Sequence, residues 1–277
     1  MAEGSDWTDL SRPPLVAGGA NRAITGSALW REVTVVAGTG STNEDLAARA
    51  VEGDLAEGVA LAADHQVAGR GRLGRTWTAP PRTALAVSVL LAPRDVDSAR
   101  RSWLPLLTGL AVLDVLQSVA GLPARLKWPN DVLVDERKVA GILAELVAQP
   151  SGAAVVVGLG LNVTLDEDEL PVPTATSLRL AGAATTDRQV LLHAYLRALE
   201  HRYARWRAAA GDPRASGIGA AYREACTTLG REVVVQLPAG ADLTGTAEGV
   251  DDEGRLLVRD HEGHSHALAA GDVRHVR

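Results

Sequence analysis

The segment Ala153 to Val163 (AAVVVGLGLNV) constrains the fold of this chain more than any other, because it is a continuous Val/Leu/Gly run with one polar side chain near its end. It reads as a strand at the centre of a sheet, covered on at least one face. Such a strand needs neighbours. Trp30 to Ala37, Val59 to Asp64 and Ala84 to Leu91 have strand character, and Asp135-Glu136-Arg137 between Val132-Val134 and Val139-Leu146 predicts a hairpin. Helical spacing is found after Ser41-Thr42-Asn43-Glu44, with apolar Leu46, Ala47 and Ala50, over Trp103 to Val119, and over 188 to 209. Arg202, Arg205 and Arg207 in the last turns of the third suit a helix C-terminus. The implied class is α/β (α+β), a mixed β-sheet flanked by helices.

From residue 230 onwards the grammar changes. Short strands around 231–237, 242–250, 255–260, 264–269 and 272–276 are separated by Pro-Ala-Gly, Asp-Glu-Gly and Glu-Gly turns, which predicts a small antiparallel barrel over 230–277. Residues 211–229 read as a flexible linker with a short helix around Ala221 to Cys226, and residues 30–210 as the main domain. Residues 1–29, with Pro13-Pro14 and Gly18-Gly19, read as a mostly disordered tail with at most a turn of helix near Ala28. On that reading the tail has no part in activity, and it is too irregular for a helix-turn-helix. With a net charge of −6, no DNA partner is expected.

No run approaches the roughly 18 apolar residues of a membrane span, and the first nine residues carry no cation and no apolar stretch, so neither a membrane protein nor a secretory signal is indicated. The single cysteine, Cys226, can form no internal disulfide, which points to the cytoplasm. The cations are skewed: 26 are arginine and only Lys127 and Lys138 are lysine. A compact ammonium at those two places is a pointer to chemistry that a planar guanidinium would not serve.

Five segments can carry chemistry. Gly69-Arg70-Gly71-Arg72-Leu73-Gly74-Arg75 combines close backbone approach with three cations. It reads as an anion-binding loop, as a solvated turn, or as a short RGG-like nucleic-acid segment. Lys127-Trp128-Pro129-Asn130-Asp131 supplies a cation, an aromatic face, an amide and a carboxylate, yet Pro-Asn-Asp also makes an ordinary tight turn. Ser41 to Glu44 is a capping box whose hydroxyls and amide, with Gln66, can also bond a small polar ring. Lys138 opens a strand in which Gly141 leaves room for something flat, and Gly158 to Asn162 ends the central strand at a pocket rim or simply packs closely. His261, His264 and His266 lie in a turn with no further ligands arranged around them, so solvated positions are preferred to zinc, and Asp166 to Glu169 reads as a solvated acidic loop.

Taken in order, Ser41-Thr42-Asn43, Gln66 with GRGRLGR at 69–75 and Trp77, KWPND at 127–131, and Lys138-Val-Ala-Gly-Ile-Leu with GLGLN at 158–162 resemble the biotin protein ligases. The resemblance covers about residues 30 to 210 and extends to the C-terminal barrel, and it is to the form without an N-terminal DNA-binding domain. It implies an SH3-like barrel and a two-step reaction: biotin and ATP give biotinyl-5′-AMP, and biotin then passes to a lysine of a biotin carboxyl carrier domain of a carboxylase. It implies catalytic roles for Lys138, Arg70 and Arg72. Ser41, Thr42, Asn43, Gln66, Arg70, Gly71, Arg72, Lys138 and Gly141 would bind biotin. Arg72, Arg75, Trp77, Lys127, Asn130, Asp131, Lys138 and Asn162 would bind ATP or the adenylate, with Trp77 over the adenylate. Mg2+ would be held through the ATP phosphates, with Asp131 the candidate protein oxygen and no all-protein cage. The alternatives are a biotinyl-AMP sensor that does not transfer, and a lipoate or octanoate ligase, although lipoate ligases lack the Gly-Arg loop in this form.

Overall fold

A computed structural model describes residues 11–237, 240 and 242–276. The central run is β7 (Gly152–Asn162), at the middle of a seven-stranded sheet with β1 (Glu32–Val36), β2 (Val59–Ala63), β3 (Ala84–Leu91), β4 (Arg125–Lys127), β5 (Asp131–Val134) and β6 (Arg137–Gln149). The order is β1-β2-β3-β7-β6-β5-β4. Only β1 and β2 are parallel, and the crossover such a pair requires is α2 (Thr42–Gly53), capped by Ser41. All other neighbours are antiparallel, so the sheet is mixed.

Two helices cover one face. The helix α3 (Trp103–Ser118) is buried along almost its whole length, and α4 (Arg188–Ala208) packs on it. On the other face α2 covers only one end of the sheet. There Leu46 and Ala50 pack with Val147, Ala154 and Val156 in a small separate core. The rest of that face, over Gly141, Gly158 and Gly160, is open to a cavity.

The second sheet is wholly antiparallel: β8 (Glu232–Gln236), β9 (Asp242–Val250), β10 (Leu256–Asp260), β11 (Ser265–Leu268) and β12 (Asp272–His275), in the order β11-β10-β9-β8-β12. It forms the SH3-like unit, cored by Val233, Val235, Ala247, Leu256, Val258 and Val273. The connection to it carries α5 (Ile218–Ala225) and is packed where flexibility was expected. Gly211 is buried with φ 78°, and a Cβ there would lie 2.3 Å from Val96 Cγ1. Two indoles join the units: Trp103 Nε1 donates to Asp252 O at 2.9 Å and Trp128 Nε1 to Gly254 O at 3.1 Å.

The expected N-terminal tail is corrected over residues 11–29, while residues 1–10 lie outside the described residues. A helix, α1 (Ala17–Ala23), packs on β1 and α4, and Leu15, Ala20, Ile24 and Leu29 are buried in the main core. Leu15 N–H donates to Asp64 Oδ1 at 3.1 Å, beside a buried ion pair of Asp64 with Arg188 at 2.8 Å. Arg188 also donates to Pro13 O at 2.6 Å. The segment has no sustained apolar period in sequence, so it owes its helix to tertiary contacts. Removing it would uncover the core, against the expectation that it is dispensable. The acidic loop is likewise no free solvated turn: Arg12 pairs with Glu169 at 2.7 Å, and Arg137 with Glu167 at 2.8 Å. Among the described residues no helix is long and apolar enough to cross a membrane.

Candidate active site

The floor of the cavity is made by glycines. Gly141 of β6 pairs with Gly160 of β7, and Gly158 lies two residues away on the same face. The Trp77 ring lies on this floor: a Cβ on Gly160 would meet Trp77 Cε2 at 2.4 Å, and one on Gly141 would meet Trp77 Cζ3 at 3.1 Å. A Cβ on Gly158 would lie 2.2 Å from Asn43 Oδ1. The Gly-x-Gly spacing is therefore a requirement for flat groups to approach the sheet. Trp77 Nε1 is buried without an acceptor among the described residues, on a side chain that lines the cavity.

One wall is a buried hydrogen-bonded set at the start of α2. Thr42 presents its N–H and its hydroxyl to Gln66 Oε1 at 2.8 and 3.0 Å. Asn43 Nδ2 donates to Glu145 Oε2 at 2.7 Å and to Leu143 O at 3.2 Å. Ser88, fully buried on β3, lies 2.7 Å from Thr42 Oγ1 and 2.6 Å from Asn43 Oδ1 and ties the two together. Ser41 Oγ accepts from Glu44 N, the capping half of the box, while the Glu44 carboxylate pairs with Arg70 and Ser41, Thr42 and Asn43 line the cavity.

The Gly-Arg loop forms the opposite wall. It bends through Leu73 and Gly74, both in the left-handed region at φ 56° and 74°. Its arginines are tied to three different parts of the chain: Arg70 pairs with Glu44 of α2, Arg72 donates to Asn130 Oδ1 at 3.4 Å, and Arg75 pairs with Asp272 of β12. Burial pulls the Arg72 guanidinium below its usual value, opposed by Asp131 and Asp272. The hydrogen bond to Asp272 holds Arg75 above its usual value.

Where the walls meet stands Lys138. Its Nζ is 2.5 Å from Asp131 Oδ1 and 5.8 Å from the Trp77 ring centre. The start of β6 is clamped on both sides, with Lys138 N–H donating to Thr174 O and Thr176 N–H to Lys138 O, each at 2.8 Å. Asn130 is fixed by the bond from its Nδ2 to Ile142 O at 3.1 Å, and Trp128 forms part of the main core.

The cavity thus brings together Ser41, Thr42, Asn43, Gln66, Arg70, Gly71, Arg72, Arg75, Trp77, Asn130, Asp131, Lys138 and Gly141. It does not bring in Lys127 or Asn162. Lys127 is paired directly with Asp131 in the β4–β5 ladder, which gives the two residues the same face, but only Asp131 lines the cavity. Asn162 is buried, with Nδ2 donating to Thr176 O at 2.9 Å, so it braces the segment that clamps Lys138. Ser88, Glu145, Glu44 and Asp272 are site residues that sequence reading missed. Of these only Glu44, three residues after the Ser41 that caps α2, carried a local signal, as part of the capping box. His261 and His266 lie on Glu232 and Asp260 at 3.0 and 2.7 Å, and among the described residues no group of three His, Cys, Asp or Glu is arranged to hold a metal.

This arrangement agrees with what the chain is similar to. Residues 39–162 match the model of the biotin/lipoate A/B protein ligase family, and residues 228–276 match the biotin protein ligase C-terminal domain. A biotin--[acetyl-CoA-carboxylase] ligase of Mycobacterium tuberculosis is 45% identical over 97% of this chain and 98% of its own length. The chain belongs to the biotin protein ligase family. A ligase of the same description from Paracoccus denitrificans is 33% identical over 81% of this chain and 93% of its own. The structure of the biotin protein ligase from Aquifex aeolicus in complex with biotin and ATP superposes with a TM-score of 0.73 at 29% identity, covering 90% of this chain and all of that one.

Proposed function

We propose that this chain is an ATP-dependent biotin ligase that forms biotinyl-5′-AMP and transfers biotin to a lysine of a biotin carboxyl carrier domain, that of acetyl-CoA carboxylase being the acceptor the relatives' names point to. The observation that carries the reading is the convergence of Lys138 and Arg72 on one polar cavity floored by glycine and Trp77.

In the first step an oxygen of the biotin carboxylate attacks the α-phosphorus. The bond to the β-phosphate breaks, and pyrophosphate leaves with the electron pair. Both reactants are anions, so cations must be in place before they approach. Lys138 is held by Asp131 at the junction of the walls and bridges carboxylate and α-phosphate. Arg70 and Arg72 take the biotin carboxylate, and Arg72 and Arg75 the phosphates. Thr42, Asn43 and Gln66, with Ser41, bond the ureido ring, and Trp77 Nε1 supplies a donor that lacks an acceptor. In the second step the acceptor amine attacks the carbonyl carbon and AMP leaves. The loop shields the anhydride from water in the interval. The donors fit a Mg2+ that arrives with the nucleotide: one carboxylate, Asp131, already bonded to Lys138, is too little for a protein cage. That ion would neutralise phosphate charge. A lone buried thiol, Cys226, suits the cytoplasm.

Biotin-dependent ATP–pyrophosphate exchange, followed by label transfer to a carrier domain, tests this reading. Exchange with biotin and transfer to the carrier are expected. Exchange with lipoate or octanoate in its place would make the chain a ligase of another acid, and an adenylate that is bound but never transferred would make it a sensor.

A further inference from the structure

Beside the cavity, and sharing the Gly-Arg loop with it, runs a groove of about 860 Å3. Arg101 and Ser102, just before α3, line it together with Trp128 and Gly254. Arg70, Arg72, Arg75 and Arg255 also line it, and each has a partner: Glu44, Asn130, Asp272, and Asp251 with Glu253. Arg101 differs. Its Nε is buried and has no hydrogen-bond partner among the described residues. Arg101 as a whole is half-buried, and a guanidinium N–H with no protein acceptor is free to take an anion's oxygen.

We infer that Arg101 binds the pyrophosphate end of the nucleotide. This rests on the adenylation reading above and extends it from the α-phosphate to the leaving group. With the α-phosphate at Lys138, the β- and γ-phosphates run along the loop wall into the groove, past Arg72 and Arg75, which line both spaces. As the bond from phosphorus to the bridging oxygen breaks, charge moves onto the pyrophosphate, and a planar guanidinium matches its paired oxygens. The small domain sets the position of this residue. The 3-10 turn Ser98–Ser102 that carries it is anchored by Ser102 Oγ on Glu253 O and by Trp103 Nε1 on Asp252 O, while Arg100 Nη1 donates to Ala210 O at 3.0 Å.

The test is biotin-dependent ATP–pyrophosphate exchange by the full chain carrying R101A or R101Q, with ATP and pyrophosphate varied separately. KM for both is expected to rise at least tenfold in each variant, with R101K recovering part of the loss. Biotin affinity without nucleotide, and transfer from synthetic biotinyl-5′-AMP to the carrier, should stay within twofold of the unaltered protein. Unchanged KM values for ATP and pyrophosphate would overturn the assignment. So would a defect confined to transfer, which would give Arg101 to an acidic group of the carrier. Should R101A not fold, R101Q and R101K carry the comparison. If the unaltered protein shows no biotin-dependent exchange, it is the adenylation reading that fails.

Discussion

The two walls of the site are built by opposite means. Ser41, Thr42, Asn43 and Ser88 are buried and bonded to one another, to Gln66 or to β6 and helix neighbours, so that wall exists before any ligand arrives. The Gly-Arg loop is held by ion pairs that remain open to water: Arg70 and Glu44 are 54% and 41% exposed, and Arg75 and Asp272 are 61% and 30% exposed. A buried hydrogen-bonded network gives discrimination, because an analogue that misses its hydrogen bonds leaves polar groups stranded. Exposed ion pairs are weak and exchangeable. The loop is therefore pre-ordered by carboxylates that a carboxylate or phosphate ligand can replace at small cost. One wall selects and the other yields.

Five substitutions sharpen or break this contrast. Lys138→Arg, at the junction, should lower the exchange rate by about a thousandfold while leaving the thermal midpoint nearly unchanged, since shape and reach are lost rather than charge. A rate near that of the unaltered protein would discredit the role given to the ammonium. Gly158→Ala forces Asn43 out of its place, and biotin KM should rise about a hundredfold with ATP KM little altered. Ser88→Ala removes the tie between Thr42 and Asn43 without touching the cavity surface; biotin affinity by calorimetry should fall about tenfold. The smallest effect belongs to the yielding wall. Glu44→Gln and Asp272→Asn should each tighten ATP or biotin by up to about fivefold, because the ligand no longer displaces an ion pair. Weaker binding in both would mean that the carboxylates hold the loop in its working shape, and the two walls would then be alike.

Much of this was legible in the chain. The central strand, its neighbours, α2 to α4 and the strands of the small sheet have apolar periods of their own, and each forms close to where the pattern put it. The site motifs were legible in part: Gly141 was read as room for something flat, and Gly158 and Gly160, left open between a rim and close packing, turn out to lie under Asn43 and Trp77. What could not be read depends on distant partners. Leu15 to Leu29 has no period and folds only because β1 and α4 lie beneath it. Ser88 looks like any polar residue in an apolar strand until Asn43 is seen above it. Asp272 is some 200 residues from Arg75, and no local pattern announces the pair. Lys127 and Asn162 do not line the cavity although register gives them the faces of Asp131 and of Gly158 and Gly160; the Asn162 amide is taken up by Thr176 O, a partner that no motif announces.

The paired indole bonds from Trp103 and Trp128 to a single turn, Asp252 to Gly254, bear on how such a molecule can be divided. Severed near residue 229, the larger unit would keep its sheet yet leave two indole donors bare, one of them, Trp128, in the lining of the groove. The smaller unit would lose the surface that shapes its turn. Neither fragment, mixed with the other, should regain the groove unless those indoles find their carbonyls again, so the two modules are best regarded as one machine inherited whole.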